Sequence, residues 1–363
     1  MYDPQLGFHD EGADLEDPAL YAEAAGGARR LHPVAYRSKV FGDLEDDRIW
    51  TRGFVTIGLG AQIPETGDLL PFTVGVHGIH VQRGPDGGLE GRFNKAQHGG
   101  CRAIPAQCRM GRKTKCSFTS CGYSRDRDAI LAAELAGNPN IDQQYLGMRP
   151  ERLLPVRVAE WGPWIMVDLD PGGAAAPALP AAGDLFAAAG LTGCGAHVEL
   201  PAWRTVRANW KAAARAHAAR PGELCASGSG AGLSLRLAEG ACAVHWLFPN
   251  LVVYELERAL VSLVLQPVAP DETVQRLAVI APTEAEALDA AWAVAPALDA
   301  ASAAAEEDQA LLARWGTPSA PRTDAAAPPA EDSPAGRLFQ AWLVDRLTAA
   351  AEPTLPVPLF GRA

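Results

Sequence analysis

The chain has 363 residues, 48% of them hydrophobic and 21% charged, so it is long enough for two globular cores of ordinary composition. The formal net charge of -11 argues against nucleic acid or an anionic membrane as a partner, because both need a basic protein face. The sequence has no apolar run of about eighteen residues and its acidic start does not resemble a signal peptide, so we expect a cytoplasmic protein without a transmembrane helix.

The first half of the chain has the pattern of an antiparallel sheet. An arm with a short helix at Pro18–Ala25 precedes an apolar strand at Phe54–Ile57. The alternation from Val74 to Val81 changes phase at Gly78, which predicts a β-bulge there. The remaining expectations are a hairpin turn at Gly84–Gly88, a return strand at Leu89–Asn94, and two strands at Leu153–Val158 and Trp164–Leu169.

The second half begins with a predicted helix at Asn209–Arg220, which Pro221 and Gly222 end. Thr283 and Glu286 have the spacing of a capping box at the start of a later helix. Pro296 is expected to break or kink that helix, with a further helix reaching Trp315. Residues 317–332 are predicted to be a mobile loop, followed by a last helix opened by Ser333 and Pro334. Four antiparallel strands are expected between these helices, at Ala241–Phe248, Leu251–Glu257, Leu260–Pro267 and Thr273–Ile280.

Several short segments together resemble the oxygenase α subunits of the Rieske non-haem iron family. Their order along the chain carries the resemblance, and they are Arg48–Trp50, Gln62–Asp68, Phe93–Gly100, Cys116–Tyr123, Leu154–Pro171, Asn209–Lys211 and Phe248–Leu251. The resemblance implies an α+β fold, with an antiparallel Rieske-like domain and a helix-grip catalytic-type domain. We therefore expect an N-terminal arm at 1–47, a Rieske-like domain at 48–171 with cluster loops at 94–101 and 116–123, and a catalytic-type domain at 172–363.

The cluster motifs of the family are incomplete in this chain. A Rieske cluster needs two cysteine thiolates on one iron and two histidines on the other. The resemblance places these ligands in a Cys-x-His and a Cys-x-x-His motif, where this chain retains His98 and Cys116 but has Ala96 and Thr119 at the other two positions. We therefore predict that the [2Fe-2S] cluster is absent.

The mononuclear iron site of the family is also incomplete. The family binds this iron with two histidines and one carboxylate. By the same resemblance, Gly222 falls at the first histidine position, Ala219 at the acidic residue that links cluster and iron, and Asp308 at the carboxylate. His217 is out of register and is expected to be an ordinary helix histidine. We predict that this iron is absent too.

A zinc site is the alternative use of the same loops. His98, Cys101, Cys116 and Cys121 form two short knuckles whose nitrogen and sulfur ligands suit tetrahedral zinc. Cys108 is a further thiol nearby, and the basic run Arg109–Lys115 lies between the knuckles. The other interpretation is an empty pair of loops held by packing.

Three functions follow from these patterns. The first is a non-catalytic α-like subunit, structural or regulatory, that forms a trimer or hexamer by itself or with an active oxygenase α paralogue. The second is an oxidoreductase with a rewired metal site, although no nucleophile–base pair is evident in 205–260. The third is a binding protein that reuses the former substrate pocket for a small hydrophobic or aromatic ligand.

Overall fold

The fold is taken from a computed structural model of the chain. The structure describes the main body of the chain, namely 2–3, 8–9, 14–15, 20–21, 31–75, 77–95, 128–173, 182–191, 198–218, 222–227, 232–237, 243–315 and 333–349. Two short strands, β1 (Tyr2–Asp3) and β2 (Phe8–His9), pair with each other near the N-terminus. Most of the predicted helix at Pro18–Ala25 lies outside the described residues.

A six-stranded antiparallel sheet occupies the first half of the chain. Its strands in spatial order are β3 (Val55–Leu59), β8 (Trp164–Asp168), β7 (Pro155–Trp161), β6 (Leu89–Phe93), β5 (His77–Arg83) and β4 (Leu69–Val74). The predicted turn at Gly84–Gly88 is confirmed, because Gly84 N–H donates to the Gly88 carbonyl. The bulge predicted at Gly78 is wrong. Gly78 pairs regularly with Thr73, and the change of phase comes from a tight turn at Gly75, whose φ is 57°.

A seven-stranded antiparallel sheet forms the second half. Its spatial order is β10 (Gly222–Ser227), β11 (Gly232–Leu237), β12 (Ala243–Leu247), β13 (Leu251–Leu256), β14 (Ala259–Ala269), β15 (Glu272–Ala281) and β9 (Val198–Val206). Together the two sheets and their helices give the expected α+β fold.

The helices lie mainly beside the second sheet. They are α1 (Lys39–Glu45), α2 (Ala132–Gly137), α3 (Pro139–Tyr145), α4 (Ala182–Ala188), α5 (Trp210–Ala218), α6 (Glu284–Trp315) and α7 (Pro334–Thr348). Short 3-10 turns occur at Pro33–Tyr36, Gly60–Gln62 and Pro150–Arg152, and a π-helical turn follows α1 at Asp46–Trp50. No helix among the described residues is long and apolar enough to cross a membrane.

Both predicted helix caps are confirmed. The Thr283 hydroxyl accepts from Glu286 N–H at 3.3 Å, and the Ser333 hydroxyl accepts from Gly336 N–H at 3.1 Å. The predicted break at Pro296 is wrong, since α6 continues through it. Pro296 lies on the exposed face of α6, where water can satisfy the carbonyl that its missing N–H leaves unpaired.

Polar contacts join the two sheets. The Asn250 side chain accepts from Thr56 N–H at 3.0 Å and donates to the Thr56 carbonyl at 2.8 Å. The Arg276 guanidinium lies between the rings of Phe72 and Trp203, 4.6 and 4.4 Å from their centres. The sheets thereby share one hydrophobic core.

Candidate functional site

Helix α5 begins within the Asn209-Trp210-Lys211 segment, and hydrogen bonds of Asn209 fix its first turn. Asn209 N–H donates to Gln309 Oε1 of α6 at 3.1 Å, and its side-chain amide donates to the Pro270 carbonyl at 2.8 Å. Its side-chain oxygen accepts from Lys211 N–H, so Asn209 both caps α5 and attaches it to two other elements.

A buried ion pair fixes the segment before the first sheet against α5. Lys211 is 0% exposed and contacts Glu45, which is 5% exposed. Glu45 also accepts from Trp210 Nε1 at 2.8 Å, and the ammonium lies 4.9 Å from the centre of the Tyr36 ring. Burial raises the pKa of the Glu45 carboxyl and lowers that of Lys211, while each partner's charge opposes the shift of the other.

A second ion pair joins α5 to α6. Arg215 Nη1 is 2.7 Å from Asp308 Oδ2, with side chains that are 7% and 17% exposed. Two further side chains of α6 bind the start of α5, because Glu306 accepts from Arg207 N–H and Gln309 from Asn209 N–H. The polar residues on this part of α6 therefore position α5.

His217 lies in the last turn of α5 and is completely buried. Its Nδ1 is 2.8 Å from the Tyr254 hydroxyl, and its Nε2 is 3.4 Å from Gln275 Nε2. The described part of the helix reaches Ala218, the predicted end at Arg220 lies outside the described residues, and Gly222 is the first residue of β10. His217 is thus a packed histidine between α5 and the second sheet.

A second buried histidine, His80, lies on β5 of the first sheet. His80 Nδ1 is 2.8 Å from Asn94 Oδ1, one residue before Lys95, where the described part of this loop ends. Burial lowers the pKa of His80 to about 4, an effect that Arg92 reinforces and the Asn94 hydrogen bond opposes. His80 Nε2 has no hydrogen-bond partner among the described residues. Because its pKa is lowered to about 4, the ring is neutral near pH 7.

The cluster and zinc positions lie outside the described residues. These are Ala96, His98, Cys101, Cys116, Thr119 and Cys121, and Ala219 of the iron site is also among them. Within the part of the chain that is described, no group of three or more His, Cys, Asp or Glu side chains is arranged to hold a metal ion. The zinc site and the absence of the cluster therefore stay predictions.

A hydrogen-bonded serine, histidine and glutamate lie on the second sheet, in the region where the sequence suggested no nucleophile–base pair. Ser234 Oγ is 2.8 Å from His245 Nδ1, and His245 Nε2 is 2.6 Å from Glu255 Oε2. Pairing of β11, β12 and β13 brings the three together, although they are separated along the chain. Only the register of these strands could have indicated it.

Comparison with known proteins finds similar sequences over part of the chain. No protein-family model matches the chain. Choline monooxygenase of Beta vulgaris is 29% identical over 137 residues, and biphenyl 2,3-dioxygenase subunit alpha of Rhodococcus jostii is 26% identical over 151 residues. These matches cover 37% and 42% of this chain, but only 29% of the length of either relative.

Solved structures match over most of the chain. The apo form of the quaternary ammonium Rieske monooxygenase CntA has a TM-score of 0.59 at 15% identity, covering 93% of this chain and 99% of that one. Naphthalene 1,2-dioxygenase from Rhodococcus sp. has a TM-score of 0.57 at 15% identity, covering 92% and 97%. The chain is similar in sequence to Rieske oxygenases over part of its length and has the fold of their α subunits.

The described residues at or near the iron positions of the resembled family are poor ligands for mononuclear iron. Asp308, at the position that the resemblance assigns to the carboxylate, accepts a hydrogen bond from the Arg215 guanidinium. Gly222 has no side-chain donor, and both ring nitrogens of His217 lie against Tyr254 and Gln275. These residues do not fit a site of two histidines and one carboxylate.

Proposed function

We propose that this chain is a non-catalytic α-like subunit that assembles with an active Rieske oxygenase. Its role would be structural or regulatory, in a trimer or hexamer. A separate ring stacked on an active ring fits this role better than an alternating trimer. In the resembled family electrons pass between neighbouring subunits, so a subunit without metal centres inside an active ring would interrupt their path.

The ion pair between Arg215 and Asp308 carries this proposal. A carboxylate at an iron position normally balances the charge of the metal, whereas here a guanidinium supplies the positive charge. The pair is largely buried, so a metal ion would have to displace a charge-assisted hydrogen bond to reach Asp308. Ala96 and Thr119 at cluster-ligand positions support the same interpretation from the sequence.

We expect the purified protein to lack a Rieske cluster. After anaerobic reconstitution with ferrous iron and sulfide, it should show neither the broad visible absorption nor the reduced-state paramagnetic resonance signal of that cluster, because two of the four ligand positions cannot bind iron. The measurements are metal analysis, visible absorption and electron paramagnetic resonance on one sample.

The double variant Ala96→Cys/Thr119→His is the matched control, since it restores the family's ligand set. It should bind more iron than the wild type under the same reconstitution. A two-iron signal in the wild type that disappears in His98→Ala would refute the expectation. About one zinc per chain, lost in Cys116→Ser, would favour the zinc alternative and leave the cluster prediction standing.

Assembly gives the second test. The sequence between the two cluster motifs carries Arg102, Arg109, Arg112, Lys113 and Lys115. In the resembled fold these loops lie at a subunit boundary, where basic groups would steer association with an acidic partner. Mass photometry should show a trimer, or a hexamer with a co-encoded oxygenase α chain, and the mixed species should form more slowly at high salt.

A monomer at all salt concentrations, alone and with the oxygenase, would contradict the subunit proposal. Stabilisation of that monomer by an aromatic ligand, without turnover, would then favour the binding-protein alternative. Substrate oxidation by the isolated chain would favour the rewired oxidoreductase. Choline monooxygenase and biphenyl 2,3-dioxygenase, which this chain resembles, are catalytic oxygenases. The co-encoded oxygenase is expected to be active by itself, so its activity without this chain is the necessary control.

A further inference from the structure

The polar cluster of Ser234, His245 and Glu255 has the connectivity of a nucleophile, a base and an orienting carboxylate. Ser234 lies directly opposite His245 in the pairing of β11 with β12. Glu255 lies two residues beyond Val253, the residue opposite His245 on β13. The two hydrogen bonds of 2.8 and 2.6 Å form one continuous chain through the imidazole.

The chemistry of the three groups sets the direction of this hydrogen-bond chain. A carboxylate oxygen can only accept, so in the arrangement with a neutral imidazole the proton lies on His245 Nε2 and is donated to Glu255 Oε2. The Nδ1 lone pair then accepts the hydroxyl proton of Ser234. This is the arrangement a general base needs to deprotonate a serine, with the two ring nitrogens in exchanged roles relative to the chymotrypsin-type triad.

The cluster lies apart from the iron-site positions. His245 and Glu255 alternate along their strands with Val244 and Tyr254, and Tyr254 faces α5 through His217. The cluster therefore lies on the opposite face of the sheet. The side chains of His245 and Glu255 are 16% and 20% exposed, which allows a small molecule to reach them while limiting competition from water.

A positive charge is available beside the serine. Arg236 lies two residues along β11 from Ser234, so it projects from the same face, and it is exposed. The backbone of β11 is paired on both sides, so its amides are committed to the sheet. Glu223 lies directly opposite Arg236 on β10, so this guanidinium has a carboxylate beside it, which reduces the help it can give to a negatively charged oxygen next to Ser234.

We propose that Ser234, His245 and Glu255 form an acyl-transfer site for small activated carboxylic esters. Ser234 Oγ bonds to the ester carbonyl carbon, and its proton passes to His245 Nδ1. The bond from that carbon to the leaving oxygen breaks, and His245 returns the proton to the leaving alcohol. Water then attacks the acyl-serine with His245 taking its proton, which releases the carboxylic acid and restores the Ser234 hydroxyl.

A fluorophosphonate probe tests the site directly, together with the hydrolysis of p-nitrophenyl acetate. Intact-mass and peptide analysis should find the wild-type protein labelled at Ser234. Label should be absent in Ser234→Ala, and His245→Asn should slow labelling and ester hydrolysis by at least about 100-fold, the scale of a lost general base. Glu255→Gln should also slow both, because the amide no longer favours the required protonation of His245.

Ser302→Ala is the matched control, since Ser302 Oγ bonds only locally to the Leu298 carbonyl on α6. It should label and hydrolyse at the wild-type rate. Circular dichroism is the check that each variant is folded. Ser234→Cys is a further variant, which keeps the approximate size of the side chain. Its thiol should react with iodoacetamide faster than in the double variant Ser234→Cys/His245→Asn. Unlabelled Ser234 in folded wild type, or labelling that His245→Asn leaves unchanged, would overturn the proposal and leave a purely structural cross-strand cluster.

Discussion

Lys211→Met should destabilise the protein by about 3–5 kcal/mol, far more than the loss of an exposed ion pair. The substitution leaves the Glu45 carboxylate buried, with Trp210 Nε1 as the donor that remains from the present contacts. An uncompensated buried charge is costly, and protonation of Glu45 relieves only part of that cost. The free energy of unfolding in urea at pH 7 is the measurement.

The double variant Lys211→Met/Glu45→Gln distinguishes a charge effect from lost packing. Its amide oxygen can still accept from Trp210, and no charge is buried, so we expect more than half of the lost stability to return. Lys39→Met is the control at a partly exposed ion pair, in which Lys39 is 12% exposed and Asp43 is 54% exposed. Lys39 pairs with Asp43 one helical turn away on α1, and its loss should cost less than about 1 kcal/mol. Equal losses in Lys211→Met and the double variant would show that packing, not charge, holds the segment.

Local signals in the sequence predicted the local structure well. The turn at Gly84–Gly88 and the caps at Thr283 and Ser333 depend on neighbouring residues, so the sequence carries their full description. The four strands of the second sheet from Ala243 to Ala281 were predicted for a similar reason, because each is a mostly apolar run between turn residues.

Strands whose own composition does not favour a strand, and which depend on pairing with other strands, were missed. β9 includes Pro201, and its composition does not favour a strand, yet it pairs with β15 along its whole length. β10 and β11 contain glycine and serine and gain their pairing from β12 and from each other. Pro296 led to the opposite error, a predicted break in a helix that is continuous. Packing of the inner face of α6 outweighs one lost backbone hydrogen bond on its outer face.

The candidate site shows the same division. The resemblance placed Asp308 at the carboxylate position of the iron site and did not indicate its contact with Arg215, because Arg215 is 93 residues earlier and no local pattern links them. Glu45 and Lys211 are 166 residues apart, and Glu45 falls in the segment predicted to be an N-terminal arm. Contacts of this kind depend on the packing of whole elements, which composition and periodicity do not contain.

Acid should destabilise the protein through His80 over a defined range of pH. Burial lowers the pKa of the folded-state imidazole to about 4, from an ordinary value of 6.5. The unfolded chain therefore binds this proton first as the pH falls, so the stabilising contribution of neutral His80 is complete above pH 6.5 and is lost towards pH 4. A shift of this size corresponds to about 3 kcal/mol.

His80→Gln should remove this pH dependence. Urea unfolding at pH 7, 6, 5 and 4.5 should show the stability advantage of the wild type over the variant shrinking steadily towards the lowest pH, because glutamine does not titrate. His77→Gln is the control on the same strand, and the steep loss should remain in it, since His77 is 36% exposed and lies beside Asp46 rather than in the core. If wild type and His80→Gln lose stability in parallel, His80 is not the group that responds. If the wild type loses more stability than His80→Gln as the pH falls, the first sheet depends on a neutral imidazole that is hydrogen-bonded to Asn94.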